Sequence, residues 1–347
     1  MPWYIRKIKP GEEEAFVSFL SAWVTNVPVE ERFRWLYEGN PHGKGEIWLA
    51  VDTMTEKIAA CTAIFPKKIR INGSMVLGCV GGDTYVDPQW RRQGIAAALH
   101  RATAVEMMDV GIELHYGFPL ADNFQAKLKA GARHPGHFTT AALYLSSQPL
   151  LKKMKLARVI PSILQRALDA TMVRAMGLLP SSVHENGYHT EHMTSFDTTF
   201  EAVEEEITSS FAICCVRDLP YLKWRFFENP FNKYSILGLK DKGGALRGYV
   251  ALEVVGNATV ISDLFCLQEE TTVGSLLRAA VKFAVSHGSQ SIVTMVNPEE
   301  PLGKYLLRFG FRPSHVNQLP LIVLTALDCA TVNDLKNWHI TAADLDV

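Results

Sequence analysis

The sequence has almost no net charge: 35 Lys+Arg stand against 36 Asp+Glu in 347 residues. A protein whose main partner is nucleic acid needs a basic surface to neutralise phosphates, so no nucleic-acid partner is expected. Long apolar runs are missing, and nothing approaches the ~20 residues that carry a helix across a bilayer. No integral membrane segment is therefore expected. The N-terminal stretch Met1-Pro2-Trp3-Tyr4-Ile5-Arg6-Lys7 lacks an apolar core and a small-residue cleavage motif, so no secretion signal is expected. Cysteines are few, and none forms a Cys-x-x-Cys pair. Cys61, Cys79, Cys214, Cys215, Cys266 and Cys329 sit mostly inside apolar runs. They read as buried free thiols of a cytoplasmic protein, not as a disulfide framework or zinc site. His134 and His137 lie close together but lack an acidic or thiol partner, so no metal site is expected.

What is present is a chain with 48% hydrophobic residues, enough to bury real cores, and a length that suits two domains. The first half reads as strands, a helix, then strands. Ile47–Val51 and Lys57–Phe65 are apolar strands. Ile69–Val76 carries Asn72-Gly73, a strong hairpin signal. Val76–Val86 continues as a strand rich in small residues. From Ile95 to Val110 the period is helical, with Ile95, Ala98, Leu99, Ala102 and Val105 on one face, and Gly111 stops it. Ile112–Phe118 is a strand, Asn123–Lys129 a short helix, and Ala141–Leu145 closes the unit as its last strand. Residues 146–180 differ in character. Lys152-Lys153-Met154-Lys155-Leu156-Ala157-Arg158 lies between Pro149 and Pro161, and a helical stretch follows from Ile163 to Met176. This segment reads as an amphipathic connector, with contact to a membrane surface as the sharper alternative.

The second half repeats the first. Trp35-x-x-x-x-Asn40-Pro41 recurs as Trp224-x-x-x-x-Asn229-Pro230, and the same displacement carries Ile47 onto Ile236. Further on Asp83 answers to Asp263, and Gly131-Ala132-Arg133 to Gly310-Phe311-Arg312. Matches at several blocks in conserved order point to a duplicated domain.

The segment that carries chemistry is Gly81-Gly82-Asp83-Thr84-Tyr85-Val86-Asp87-Pro88-Gln89-Trp90-Arg91-Arg92-Gln93-Gly94-Ile95-Ala96. A strand leads through Asp-Pro into a basic, glycine-containing loop that opens a helix. Unpaired amides and the positive dipole end at that helix N-terminus form an anion site. Gly94 and Ala96 let a pyrophosphate approach the backbone, and Arg91 and Arg92 add charge. The loop is neither a Walker loop nor Gly-x-Gly-x-x-Gly.

Here the sequence resembles the GNAT superfamily. Arg91-x-x-Gly94-x-Ala96 matches that family's Arg/Gln-x-x-Gly-x-Gly/Ala loop, and Val86 and Pro88 sit where its splayed fourth strand ends. The likeness covers most of residues 1–145. A more distant one covers about 195–325, through Arg217-Asp218-x-x-Tyr221-Leu222-x-Trp224-Arg225-Phe226 and Leu307-Arg308-Phe309-Gly310-Phe311. The fold class so implied is α/β (α+β), with two tandem GNAT-like domains, each a mixed central sheet flanked by helices. The divisions expected are an N-terminal domain over 1–145, a helical connector over 146–190, and a degenerate C-terminal domain over 191–347.

By this resemblance the chain is an acyl-CoA-dependent N-acyltransferase that takes acetyl-CoA or another acyl-CoA as co-substrate and a small amine as acceptor. The alternative is a non-catalytic acyl-CoA-binding or interaction protein. Arg91, Arg92, Gln93, Gly94, Ile95 and Ala96 would hold the pyrophosphate. The pantetheine arm would run beside Thr84, Tyr85 and Val86, with Asn123 as a further support. A backbone amide near Tyr85 or Val86 would polarise the thioester carbonyl. Asp83, on the same face as Tyr85, is the first candidate for base or amine anchor. The family's tyrosine acid on the helix after the fifth strand has no counterpart here, so Tyr116 and Tyr144 are the fallback candidates. In the repeat, Glu269 and Glu270 stand where the arginines stood, so the second half is expected to bind no coenzyme A. Trp224, Arg225 and Trp338-His339-Ile340 are candidates to help line the acceptor pocket, with core or interface packing as their other reading.

Overall fold

Apolar strands alternating with amphipathic helices fold into one continuous sheet. The computed structural model describes residues 2–147 and 187–345 except 326, 328 and 329, with isolated positions between 161 and 171. Cys329 and most of the 146–190 connector, including its basic segment, lie outside the described residues. The first unit runs β1 (Trp3–Lys7), α1 (Glu13–Leu20), α2 (Val29–Arg32), β2 (Glu46–Asp52), β3 (Ile58–Ile71), β4 (Ser74–Val86), α3 (Ile95–Glu106), β5 (Leu114–Gly117), α4 (Ala121–Lys129) and β6 (Arg133–Tyr144). The second runs β7 (His189–Met193), α5 (Thr199–Ser209), β8 (Ile213–Cys215), α6 (Leu219–Leu222), β9 (Ser235–Lys240), β10 (Leu246–Val255), β11 (Ala258–Cys266), α7 (Glu270–Ser286), β12 (Ser291–Val296), α8 (Pro301–Phe309), β13 (Arg312–Thr325) and β14 (Trp338–His339).

Local chemistry sets the turns that the sequence announced. Asn72 and Gly73 both have positive φ, 48° and 84°, as the two-residue loop between β3 and β4 requires. Gly111, at φ 78°, ends the 3₁₀ turn that follows α3. Each unit also tightens into a single π-helical turn, Phe33–Glu38 after α2 and Lys223–Phe227 after α6, and each turn carries its tryptophan.

The principal path of the sheet is β1-β2-β3-β4-β5-β13-β6-β12-β11-β10-β9-β7. β4 pairs with β5 and β11 with β12 in parallel, each closing its unit's crossover helix against the sheet. The last strand of each unit is exchanged. Strand β6 pairs with β12 of the second unit, from Ser291↔Tyr144 to Val296↔Thr139, while β13 pairs with β5 of the first unit. The expectation that Ala141–Leu145 closes its own unit is thereby corrected. Alternation shows which face of a strand is buried but not which edge it joins, because neighbouring edges offer the same backbone hydrogen bonds. The exchange makes the two units one sheet, with β13 and β6 paired at its centre.

Candidate active site

The basic loop grows out of β4. Asp87 caps the 3₁₀ turn Pro88–Trp90 by accepting the Gln89 amide at 2.9 Å. The chain then passes through two left-handed residues, Arg92 (φ 63°) and Gly94 (φ 79°), before α3 begins at Ile95. The Ala98 amide bonds the Gly94 carbonyl at 3.1 Å. The amides of Ile95, Ala96 and Ala97 precede it and have no helical acceptor. The Arg91 Nε donates to the Val86 carbonyl at 3.0 Å, and its guanidinium lies over the Tyr85 ring. This folds Arg91 back over the strand end. A cleft of about 670 Å³ opens here, walled by Val86, Arg91, Arg92 and Gly94–Ala97 on one side and by Asn123, Ala126 and Lys129 of α4 on the other. Gln93 does not line it.

The cleft leads to a gap in the sheet. β4 and β5 pair only from Gly78↔Leu114 to Val80↔Tyr116 and then diverge. At the divergence β4 bulges: Gly82 and Tyr85 oppose Ala63 and Cys61, so Asp83 and Thr84 together face Thr62. The bulge puts Asp83 at φ 45°. Asp87 donates to the Ala59 carbonyl, so strand alternation turns the Tyr85 amide toward β3 and those of Thr84 and Val86 toward the gap. A pocket of about 270 Å³ occupies the gap, bounded by Trp23, Gly81–Thr84, Gly117–Leu120, Asn123 and Lys127.

Two polar groups face each other across that pocket. On the α1–α2 face, Asp83 accepts from Arg32 Nη1 at 2.5 Å and Nη2 at 3.1 Å, and from the Tyr37 hydroxyl. Burial, reinforced by the Asp83 charge, pushes the Tyr37 phenol well above its usual range, so it stays a donor. Tyr85 lies on the same face, stacked on Trp23. On the other side, Lys127 Nζ lies 3.1 Å from His115 Nε2, and His100 Nε2 lies 2.7 Å from Asn123 Oδ1. Burial first, then the Lys127 charge, holds His115 well below its usual pKa, so the ring is neutral and Nε2 accepts from Lys127. The same causes lower His100 to about 3. A Cβ at Gly81 would lie 2.3 Å from His115 Nε2 and 3.0 Å from Lys127 Nζ, so only glycine leaves room for this pair.

Several expected roles do not survive. The Tyr116 hydroxyl is fully buried and donates to the Asp344 carbonyl at 2.8 Å, on the core side away from the pocket. Tyr144 sits half-exposed at the end of β6, opposite Ser291 of the second unit. Strand exchange carries it away from the site. Neither tyrosine is placed to protonate a leaving group. Trp224, Arg225, Trp338, His339 and Ile340 are all buried packing groups that do not line the first unit's pocket. Lys127, His115, Arg32 and Tyr37 were missed. A signal existed for Lys127, which stands one helical turn after Asn123 and therefore shares its face.

The second unit keeps the gap but fills it. β11 and β12 diverge after Ile261↔Thr294. The chain's own 335–341 segment enters there: Asn297 Nδ2 donates to the Leu335 and Trp338 carbonyls at 2.7 and 2.9 Å, and Thr341 donates to Asp263 at 2.9 Å. The residual cavity is about 20 Å³. Asp263 also pairs with Arg217 at 2.9 Å, and Arg217 with Asp344 at 2.6 Å. Burial alone would raise the Asp344 carboxyl, but Arg217 outweighs it and holds the group below the usual range. At the α7 N-terminus, Glu270 pairs with Arg308 at 3.1 Å, and the Tyr305 hydroxyl donates to the Glu270 carbonyl.

A parallel strand pair that splays at a bulge, with a basic loop opening the crossover helix beside it, is the arrangement of the GNAT fold. Residues 4–128 match the acetyltransferase (GNAT) domain family. Among solved structures, a GCN5-related N-acetyltransferase from Anabaena variabilis is 13% identical, with a TM-score of 0.66 over 95% of this chain and 74% of that one. A tandem GNAT protein from the clavulanic acid biosynthesis pathway is 13% identical, with a TM-score of 0.55 over 94% and 99%. N-myristoyltransferase from Saccharomyces cerevisiae with bound myristoyl-CoA is 12% identical, with a TM-score of 0.57 over 93% and 79%. No curated protein sequence matches the chain. The family match lies in the first half, and the whole chain shares the fold of the tandem GNAT protein. No described helix is long and apolar enough to cross a membrane.

Proposed function

We propose that the chain is an acyl-CoA-dependent N-acyltransferase that transfers a short acyl group, acetyl or a close relative, to a small amine. One observation carries this reading. The anion-binding cleft at α3 and the pocket in the sheet gap meet at Asn123, and that pocket holds a carboxylate on one wall and an ammonium on the other. The amides of Ile95–Ala97 and the Arg92 side chain would hold the pyrophosphate. The amides of Thr84 and Val86 would bond the pantetheine arm and stabilise the oxyanion. Asp83, held by Arg32 and Tyr37, has both oxygens engaged and is better suited to anchor the incoming amine than to strip its proton. The incoming alkylammonium, with a pKa of about 10.4, would lose its proton to water. A pocket of about 270 Å³ walled by Trp23, Phe118 and Leu120 suits a short acyl group and a small amine better than a long chain. One coenzyme A would bind per chain, because the second gap is occupied by residues 335–341. The five described cysteines are buried and unpaired, which supports a reducing compartment such as the cytoplasm.

Mass spectrometry of the purified protein with acetyl-CoA and a pooled amine library tests the reading. Acylated amine with matching thiol release is the expected result. Binding of coenzyme A without any transfer would favour a non-catalytic acyl-CoA-binding protein, and absence of binding would overturn the assignment of the cleft.

A further inference from the structure

We infer that Lys127 is the proton donor to the coenzyme A sulfur, and that the buried Lys127–His115 pair is the acid half of the site. The inference rests on the acyltransferase reading above.

An acyl thioester attacked by an amine must expel a thiolate. The carbonyl carbon gains the nitrogen and the C–S bond breaks, with the electron pair leaving on sulfur. The attacking nitrogen gives up its extra proton to water, and the sulfur must gain one to depart as a thiol. If Thr84 and Val86 hold the carbonyl, the sulfur lies in the gap between β4 and α4. Of the residues that wall that pocket, only Asp83 and Lys127 are ionisable, and Asp83 is committed as an acceptor to Arg32 and Tyr37. Lys127 is the donor that remains.

The setting of Lys127 fits this task. Its side chain is buried, yet its residue borders the pocket. His115 is neutral and accepts one proton of the ammonium, which orients Lys127 without discharging it. The charged and titratable groups around it include His115 on β5, His100 on α3, and Cys79 and Asp83 on β4. None of them competes for the proton: His100 and His115 are held neutral by burial, and the Cys79 thiol is pushed up by burial. In water an alkyl thiolate is a weaker base than an amine by roughly two pKa units. In the gap the adjacent ammonium stabilises the charge that gathers on sulfur as the C–S bond breaks, which lowers the barrier to its expulsion. Lys127 then gives its proton to sulfur and becomes an amine, and water regains access to restore the proton once the thiol has left.

The test needs no knowledge of the acceptor. Thiolate absorbance near 240 nm is titrated for coenzyme A bound to the intact protein, against desulfo-coenzyme A as blank. An ammonium beside the sulfur lowers the thiol pKa, and the shift expected is about one unit or more below that of free coenzyme A. Lys127→Met should abolish the shift while calorimetry shows coenzyme A still bound. Lys127→Arg keeps a charge that cannot be surrendered, so it should preserve the shift without restoring turnover. Loss of a general acid costs on the order of 10²–10⁴-fold in rate. A bound wild-type thiol that titrates like free coenzyme A, or a shift that persists in Lys127→Met, overturns the assignment of Lys127. Absence of coenzyme A binding to the wild type instead overturns the acyltransferase reading beneath it.

Discussion

Trp35 and Trp224 stack face to face at 4.5 Å with their planes 14° apart, and each indole N–H donates to the other's backbone carbonyl, at 3.3 and 3.0 Å. The two residues occupy matching positions of the internal repeat, so the contact sits on a local twofold relation between the units. Each tryptophan lies on a π-helical turn that swings its carbonyl toward the other. The pair closes one side of the interface whose other side is the β13–β6 exchange.

Removing one ring opens a large cavity and leaves the other indole N–H facing it. Trp35→Ala is expected to cost about 3–5 kcal/mol. Trp224→Ala should cost a similar amount, and the double mutant about 1 kcal/mol less than the sum, because the second truncation has no partner left to lose. Urea unfolding of the three variants measures this. Strict additivity would mean that the stack is geometric coincidence.

Lys67 gives a prediction with a sign. It lies on β3, fully buried, with Nζ 2.6 Å from the Tyr221 hydroxyl and above that ring. Burial lowers its pKa from 10.5 to about 7, with Asp344 and Cys215 opposing part of the fall and Arg225 and Arg217 adding to it. Between pH 7 and pH 10.5 the unfolded chain therefore holds a proton that the folded chain does not. Stability contributed through Lys67 rises as pH climbs through that window, and the burial penalty is full below it. Lys67→Met should be flatter than wild type from pH 7 to pH 10 in denaturant unfolding. Equal slopes would show that Lys67 keeps an ordinary pKa in the fold.

Asp83 holds the bulge from the inside. Its carboxylate binds the Arg32 guanidinium with little exposure, and replacing it by an amide removes that ion pair. Asp83→Asn is expected to slow turnover on the order of 10²-fold through misplacement of the amine. Coenzyme A affinity should change much less, since Asp83 does not line the cleft at the α3 loop. Steady-state rates beside calorimetry separate the two effects. Wild-type turnover in the variant would reduce Asp83 to a turn residue.

Much of this was legible in the sequence because it is local. The loop from Asp87 to Ala96, the hairpin at Asn72-Gly73 and the stop at Gly111 depend on neighbouring residues alone, and the structure forms each as expected. The duplicated Trp–Asn–Pro block was visible as text, although nothing in the text says that the two tryptophans touch. The pairing of β6 with β12 was not legible, since a strand's alternation is the same whichever edge it joins. Tyr116 and Tyr144 were weighed for their chemistry, but hydrogen bonding and strand exchange take both elsewhere. Lys127 and His115 lie on separate elements, and only the parallel β4–β5 pair and the packing of α4 bring them together.

The last expectation concerns the division between the halves. Both gaps form by the same splay, but only the first is open. In the second, Asn297 and Asp263 hold the 335–341 segment through the Leu335 and Trp338 carbonyls and Thr341. The α7 N-terminus carries Glu269 and Glu270, whose charge opposes a pyrophosphate, and Tyr305 and Arg308 pack over it. In the first unit, Arg92 is exposed at the cleft mouth and Arg91 lies across the strand end. The double change Arg91→Glu/Arg92→Glu should therefore lower coenzyme A affinity by roughly 10²-fold or more, with the unfolding transition unchanged. Intact protein should bind one coenzyme A per chain, and the double variant should reduce that single site without exposing another. Isothermal titration on both proteins reads stoichiometry and affinity together. Two bound molecules per wild-type chain would show that residues 335–341 leave the second gap. An undiminished site in a folded double variant would place the pyrophosphate somewhere other than the α3 loop.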